Sequence, residues 1–234
     1  MPPVNALLRS FFDALIPRIC AGCNTKLELT EKVVCDSCLS GAEYAGDDYI
    51  LQQYNINFSG SAVDSFTTLF IFRAESIVQK ISHSFKYSGM FRNAVYAGEL
   101  LGDKLLSKEI TNETDFILPV PLHPLKKHER GYNQTDYICR GISRVTGLEL
   151  HTNVVRRIKN TRTQAKLNRN ERMENVRDAF IVKKPFMVKG KTILLVDDVK
   201  TTGSTLAEAA KVLKDAGCKK IIAATFAIAA GDTI

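Results

Sequence analysis

The chain is 234 residues long, with 45% hydrophobic and 24% charged residues. That composition excludes a disordered tail and a low-complexity fibre, and leaves room for one domain of about 150 residues plus a small appendage. A formal charge of +7 and a pI near 9.1 favour anionic partners without the charge density of a dedicated nucleic-acid binder. The apolar-rich stretches Ile193 to Val196 and Ile221 to Ala230 fall far short of the roughly 20 residues needed to cross a bilayer. No membrane span is expected, and the expected location is cytoplasmic.

In chain order, residues 1–19 open with Leu7, Leu8, Phe11, Phe12 and Leu15 at helical spacing. Arg9 and Asp13 interrupt the run and no small-residue cleavage site follows, so an amphipathic helix packed on the protein's own core is expected rather than a signal sequence.

Residues 20–45 read as a four-cysteine zinc module. Cys20-Ala-Gly-Cys23 and Cys35-Asp-Ser-Cys38 are two Cys-x-x-Cys knuckles separated by eleven residues. Each knuckle turns two thiolates toward one point, with Gly22 relaxing the bend, and two knuckles complete the tetrahedral shell of one structural Zn2+. Disulfides or a redox dithiol are the competing reading, disfavoured because no export route is evident and a redox pair needs only one knuckle. With all four positions filled by protein, the metal serves folding rather than catalysis.

Residues 46–62 continue a polar stretch without period and read as a linker. The second domain is expected over residues 63–234. Phe66 to Phe72 reads as a buried strand and Ala74 to Tyr87 as a helix with Ile77, Ile81 and Phe85 on one face. A helix over Arg92 to Leu106, a strand over Phe116 to Val120 and a turn rich in proline at Pro119, Pro121 and Pro124 follow. Tyr132 to Val145 reads as a helix ending at Gly147, with short strands at Leu148 to Leu150 and Val154 to Arg156. The basic stretch Arg156 to Arg177 reads as a loop entering a helix at Asn168 to Asn175, then a strand at Ala179 to Val182. The clearest unit is last: strand Thr192 to Val196, helix Ser204 to Ala216 stopped by Gly217, and strand Ile221 to Ile228. Such a βαβ unit calls for a parallel sheet in an α/β domain.

The chemistry concentrates where the strand ending at Val196 meets the helix starting at Ser204. Amides and hydroxyls of Thr201-Thr202-Gly203-Ser204-Thr205 at a helix N-terminus form a cradle for a phosphate, and Gly203 permits close approach. Asp197 and Asp198, just before that turn, can accept hydrogen bonds from vicinal ribose hydroxyls. The spacing fits neither a Walker loop nor a dinucleotide fingerprint. Structural capping of the turn by the two acids is the competing reading.

Over Ile193 to Thr205 the segment resembles the phosphoribosyl pyrophosphate motif of the type I phosphoribosyltransferases. The resemblance implies that family's α/β fold, a central, mostly parallel sheet flanked by helices. It gives Asp197 and Asp198 to the ribose hydroxyls, and Val199, Lys200, Thr201, Thr202, Gly203, Ser204 and Thr205 to the loop around the 5′-phosphate. Where hypoxanthine-type members carry an aspartate base, this chain has Thr201, so a 6-oxopurine acceptor is disfavoured. With the four cysteines in front, the chain resembles the ComF family of competence-associated proteins. The landmarks are Phe85-Lys86-Tyr87-Ser88-Gly89, Pro119-Val-Pro-Leu-His123, Arg130-Gly-Tyr-Asn-Gln134 and Arg162-Thr163-Gln164.

The same resemblance puts pyrophosphate near Pro121, Leu122 and His123 and a loop at Lys159 to Arg172 closing over the site. In a working transferase Mg2+ would sit on the ligand and basic residues such as Lys86, Arg130 or Arg162 would help offset its charge; for each of these three an ordinary solvated surface charge is the competing reading. For His123, ligand contact and turn packing stand equal. Two functions follow. One is phosphoribosyl transfer to an unknown acceptor. The other is a non-catalytic, nucleotide-sensing or single-strand DNA-binding module of DNA uptake, partnered with a competence helicase. In that second case Arg156, Arg157, Lys159, Arg162, Lys166, Arg169 and Arg172 supply phosphate contacts; the competing reading, which is favoured, is a mobile loop attracting a small polyphosphate.

Overall fold

The computed structural model describes residues 17–85, 90–160 and 169–230. The helix expected over residues 1–19 lies almost wholly outside the described residues, as do Lys86 and Arg162 and the middle of the loop expected at Lys159 to Arg172.

Strands β1 (Ser65–Phe72), β2 (Phe116–Pro119), β3 (Glu149–Leu150), β6 (Thr192–Lys200) and β7 (Lys220–Ala229) form one sheet in the order β1-β7-β6-β2-β3. Every pairing in it is parallel. Strands β4 (Val155–Arg157) and β5 (Phe180–Val182) make a separate antiparallel ribbon. Helices α1 (Asp36–Ser40), α2 (Asp47–Asn57), α3 (Ile77–Ser84), α4 (Phe91–Ser107), α5 (Pro124–Arg130), α6 (Gln134–Thr146), α7 (Arg169–Val176), α8 (Pro185–Val188) and α9 (Ser204–Asp215) connect them.

The side-chain period of a strand divides the core. Leu194 and Val196 face one side, with Leu101 and Leu105 of α4 and Ile138 and Ile142 of α6. Ile193 and Leu195 face the other, with Leu206, Ala209 and Leu213 of α9 and Phe58. Because helices cover both faces, β7 buries eight consecutive residues from Ile221 to Ile228 and needs no polar alternation. Helices α4 and α6 cross at two glycines. A Cβ on Gly98 would lie 1.9 Å from the Ile138 carbonyl oxygen, and one on Gly141 would lie 2.0 Å from the Val95 carbonyl oxygen.

Three differences from the sequence reading have physical causes. The linker expected at residues 46–62 contains α2, which starts after Gly46 with Asp47 and Asp48 complementing its N-terminal dipole. Its only fully buried residue is Ile50, so periodicity could not reveal it; packing onto β1 and the Tyr54 hydroxyl donating to the Val63 carbonyl at 3.1 Å hold it in place. Helix α3 begins later than Ala74, because the Ser76 side chain caps it by accepting from the Gln79 amide. Strand β6 continues beyond Val196 to Lys200, because β7 keeps pairing with it through Asp197–Thr225, Val199–Ala227 and Lys200–Ile228.

Candidate functional site

From β6 the chain crosses through α9 to β7, and from β2 it crosses through α5 and α6 to β3 on the other side. α9 and α6 pack on opposite faces of the sheet. Neighbouring strands whose connections leave in opposite directions open a crevice at their carboxyl ends, the usual ligand position in such sheets. Here β2 stops pairing at Pro119 opposite Val196, and the Val120 amide makes a last bond to the Val196 carbonyl at 2.8 Å. Asp197 and Asp198 therefore keep β7 on one flank and face the crevice on the other.

Asp197 Oδ1 accepts from the Asp198 amide at 2.9 Å, and Asp198 Oδ1 accepts from the Val199 amide at 2.7 Å. Burial pushes the Asp197 carboxyl well above the usual carboxylate range, and the charge of Asp198 pushes the same way.

The turn after the strand bends at Gly203, whose φ is +79°. A Cβ there would meet ring atoms of Phe58 at 2.9 Å, so glycine is required both by the backbone and by the space. The Thr202 and Ser204 hydroxyls lie 3.0 Å apart, and Thr201 is exposed. Ser204, Thr205 and Leu206 open α9, and the Ser204 amide points to the Thr202 hydroxyl at 3.5 Å. Lys200 sits differently from the rest of the motif: it is 2% exposed, its ammonium lies about 6 Å above the rings of Phe58 and Phe66, and it donates to the Thr201 carbonyl. It braces the turn from beneath. A cavity of about 430 Å3, lined among others by Ser61, Val176, Asp178, Ser204 and Lys211, opens beside the first turn of α9.

Across the crevice, Pro121, Leu122 and His123 are half-buried on the path from β2 to α5. His123 caps α5, its Nδ1 accepting from the Leu125 amide at 3.3 Å, with Pro124 in the first turn. Arg130 ends α5 and donates to Gln134 Oε1, while Gln134 Nε2 donates to Asp198 Oδ2 at 2.9 Å. The Arg130–Gln134 landmark is thus joined directly to the acid pair.

Two further cations cluster here without a local motif: Arg157 beside Asp197, and Lys126 beside Arg157 and Arg130. The DNA-binding reading counts Arg157 among the phosphate-contacting arginines, yet it is 7% exposed, lies over the Phe180 ring at 5.4 Å and interacts electrostatically with Asp197. Lys126, half-buried, has its ammonium pKa lowered by burial, with Arg157 and Arg130 adding to the effect. Only spatial proximity marks these two; no local motif could have.

The four knuckle cysteines meet. Their Sγ atoms all lie within 4.8 Å of one another, and Cys23 and Cys35 are 3.7 Å apart. Ligands about 2.3 Å from a tetrahedral zinc stand about 3.8 Å from each other, so the thiols are spaced for that ion. Cys20 Sγ accepts from the amides of Gly22 and Cys35, both at 3.3 Å, as a thiolate ligand does. The Thr25 hydroxyl, 2.9 Å from Cys23 Sγ, pulls that thiol down to about 6. A Cβ on Gly22 would press on Ile77 at 2.8 Å, so the first knuckle lies directly on α3.

No described helix is long and apolar enough to cross a membrane. Residues 145–233 match the family model of the phosphoribosyl transferase domain. Competence protein F of Haemophilus influenzae is 40% identical over 108 residues, covering 45% of this chain and 46% of that protein. The chain thus spans about half the length of that relative. Competence protein ComFC of Streptococcus pneumoniae is 25% identical over 205 residues, 87% of this chain and 84% of that protein. Among solved structures, a glutamine phosphoribosylpyrophosphate amidotransferase from B. subtilis aligns with a TM-score of 0.43 and 16% identity, over 62% of this chain and 30% of that one. The chain is accordingly a homologue of the competence proteins F and ComFC, with a phosphoribosyl transferase domain in its C-terminal part and a four-cysteine cluster ahead of it.

Proposed function

We propose that the chain binds phosphoribosyl pyrophosphate with Mg2+ at the junction of β6 and α9 and transfers the phosphoribosyl group to an acceptor yet to be identified. The observation that carries this reading is the placement of two carboxylates and a glycine-bent helix N-terminus at one strand end, where β2 and β6 diverge. In this reading Asp197 and Asp198 accept from the ribose hydroxyls, and amides and hydroxyls from Thr201 to Thr205 hold the 5′-phosphate. Pro121, Leu122, His123 and Arg130 border the pyrophosphate, with Lys86 and Arg162 as further cations. In the transfer, the acceptor's nucleophile forms a bond to the anomeric carbon as the carbon–oxygen bond to pyrophosphate breaks, and the cations offset the charge on the departing pyrophosphate. Mg2+ on the ligand adds to that neutralisation. The four-cysteine module, residues 20–45, holds one structural Zn2+ and folds against the transferase-like domain, residues 63–234. The names of the competence relatives support a role in the handling of DNA during competence, and the proposed location is the cytoplasm.

Calorimetry with the sugar diphosphate and Mg2+ tests the site. Heat is expected for the unaltered chain and none for Asp197→Ala combined with Asp198→Ala; no heat from the unaltered chain refutes the reading. Pyrophosphate release with candidate acceptors then identifies turnover. A second reading, a nucleotide-sensing or single-strand DNA-binding module working with a competence helicase, draws on the exposed Arg156 and Lys159 at the β4 ribbon. It requires a steep fall of single-strand affinity with salt, and a flat dependence ends it.

A further inference from the structure

Of the two acids, Asp198 has both carboxylate oxygens engaged from within the chain. The Val199 amide donates to Oδ1 at 2.7 Å, and Gln134 Nε2 donates to Oδ2 at 2.9 Å. Gln134 is the first residue of α6 and is 5% exposed. Its other end is fixed as well, because Oε1 accepts from Arg130 Nη1. Reversing the amide would set its oxygen against the carboxylate and its NH2 against the guanidinium, two repulsive contacts in place of two attractive ones. The amide therefore has one orientation.

Its backbone is equally constrained. The neighbouring Tyr132 hydroxyl donates to the Phe85 carbonyl at 2.6 Å, at the end of α3. Asn133 Nδ2 donates to the Val120 carbonyl at 3.2 Å, where β2 leaves the sheet, and to Asp136 Oδ1 at 2.7 Å. The segment from Arg130 to Gln134 is thus pinned at three places around the crevice, and Gln134 projects from a fixed frame onto Asp198.

We infer that Gln134 is a positioning residue whose amide, oriented by Arg130, holds the Asp198 carboxylate with one edge turned to the hydroxyls of a bound ribose. The inference rests on the ribose-phosphate reading of the site. A carboxylate offers roughly four acceptor directions, and the chain uses one on each oxygen, which leaves about two for the two vicinal hydroxyls of one sugar. A carboxylate without this hold rotates about its last torsion, and the ligand must then stop that rotation on binding. The sequence already marked Arg130 as a cation for pyrophosphate; the geometry gives it the additional task of setting Gln134.

The charged groups around Gln134 are Arg130 at the end of α5, Asp197 and Asp198 on β6, Asp136 on α6, and Arg157 on β4, whose charge reaches Asp197. This arrangement provides a readout that mere packing does not. Gln134→Glu keeps the shape and the acceptor for Arg130 but puts a second carboxyl against Asp198. At high pH the two repel. At low pH the introduced carboxylic acid regains a proton and can donate the hydrogen bond that the amide donated.

The experiment is calorimetric titration of the full chain with phosphoribosyl pyrophosphate and Mg2+ at pH 5.5, 7.0 and 8.5, with circular dichroism to check folding. Relative to the unaltered chain, Gln134→Ala is expected to bind about tenfold to a hundredfold more weakly at all three pH values, the loss of a hydrogen bond to a charged group. Gln134→Glu is expected to bind more weakly still at pH 8.5 and to recover most of its affinity at pH 5.5. Unchanged affinity in Gln134→Ala, or a deficit in Gln134→Glu that is the same at pH 5.5 and 8.5, overturns the inference and leaves the site reading intact. Absence of heat from the unaltered chain overturns both.

Discussion

Gly203→Ala tests the turn between β6 and α9, where two independent costs coincide. The residue has φ +79° and ψ −4°, and holding an alanine there costs about 1–2 kcal/mol. The new methyl would also lie 2.9 Å from Cε1 and Cζ of Phe58, a side chain with no exposed surface and a ring 5.2 Å from that of Phe66. Phe58 has no room to retreat, and overpacking of this kind adds about 1–3 kcal/mol. The substitution should therefore destabilise the chain by about 2–5 kcal/mol in urea unfolding followed by circular dichroism. Repeating it in a Phe58→Leu background separates the two costs, since leucine lacks the ring atoms that obstruct the methyl. There the cost should fall to the backbone share, about 1–2 kcal/mol, and the difference is the coupling between the two positions. An equal cost in both backgrounds refutes the steric argument; a cost under about 0.5 kcal/mol in the unaltered background refutes the left-handed turn itself.

Other perturbations reach different parts of the molecule. Gly98→Ala should force α4 and α6 apart, because its methyl would sit 1.9 Å from a backbone carbonyl that cannot rotate away; a loss of about 3 kcal/mol or more is expected in the same unfolding assay, and a loss below 1 kcal/mol contradicts the crossing. Asp197 keeps its proton to higher pH in the folded chain than in the unfolded one, so folding takes up a proton between the two values and stability falls as pH rises through that window. Asp197→Asn should thus match the parent at pH 4, exceed it at pH 8 and flatten the pH dependence of the urea midpoint; a variant less stable than the parent at pH 8 counts against the burial argument. The purified chain should contain zinc equimolar with protein by elemental analysis, and Cys35→Ser should lose it together with thermal stability; a folded, metal-free parent removes the structural-zinc proposal.

The sequence exposes features whose signals are local. The acids and the Thr201 to Thr205 turn are contiguous, and the cysteine knuckles have their ligand spacing written in each quartet. Where tertiary pairing decides, the signal vanishes. Asp-Asp-Val-Lys has poor strand propensity, yet β7 draws it into the sheet through Thr225, Ala227 and Ile228. Helix α2 buries one residue fully and so carries almost no periodicity. Arg157 is far from Asp197 in sequence and meets its field only after β4 is in place, and Lys126 meets Arg157 and Arg130 only after α5 is. Gln134 belonged to a landmark recognised by resemblance, and only its bond to Asp198 shows what it touches.

The extension of β6 past Val196 gives the two halves of the crevice different stiffness. Asp197 and Val199 are registered against Thr225 and Ala227, so the backbone of the acids is held in the sheet ladder, where slow amide exchange is expected. Thr202 and Gly203 have no such ladder. On the proposed reading, a ribose phosphate would meet acids already held by the sheet and a turn free to settle, and the entropy lost on docking would fall mainly on the turn.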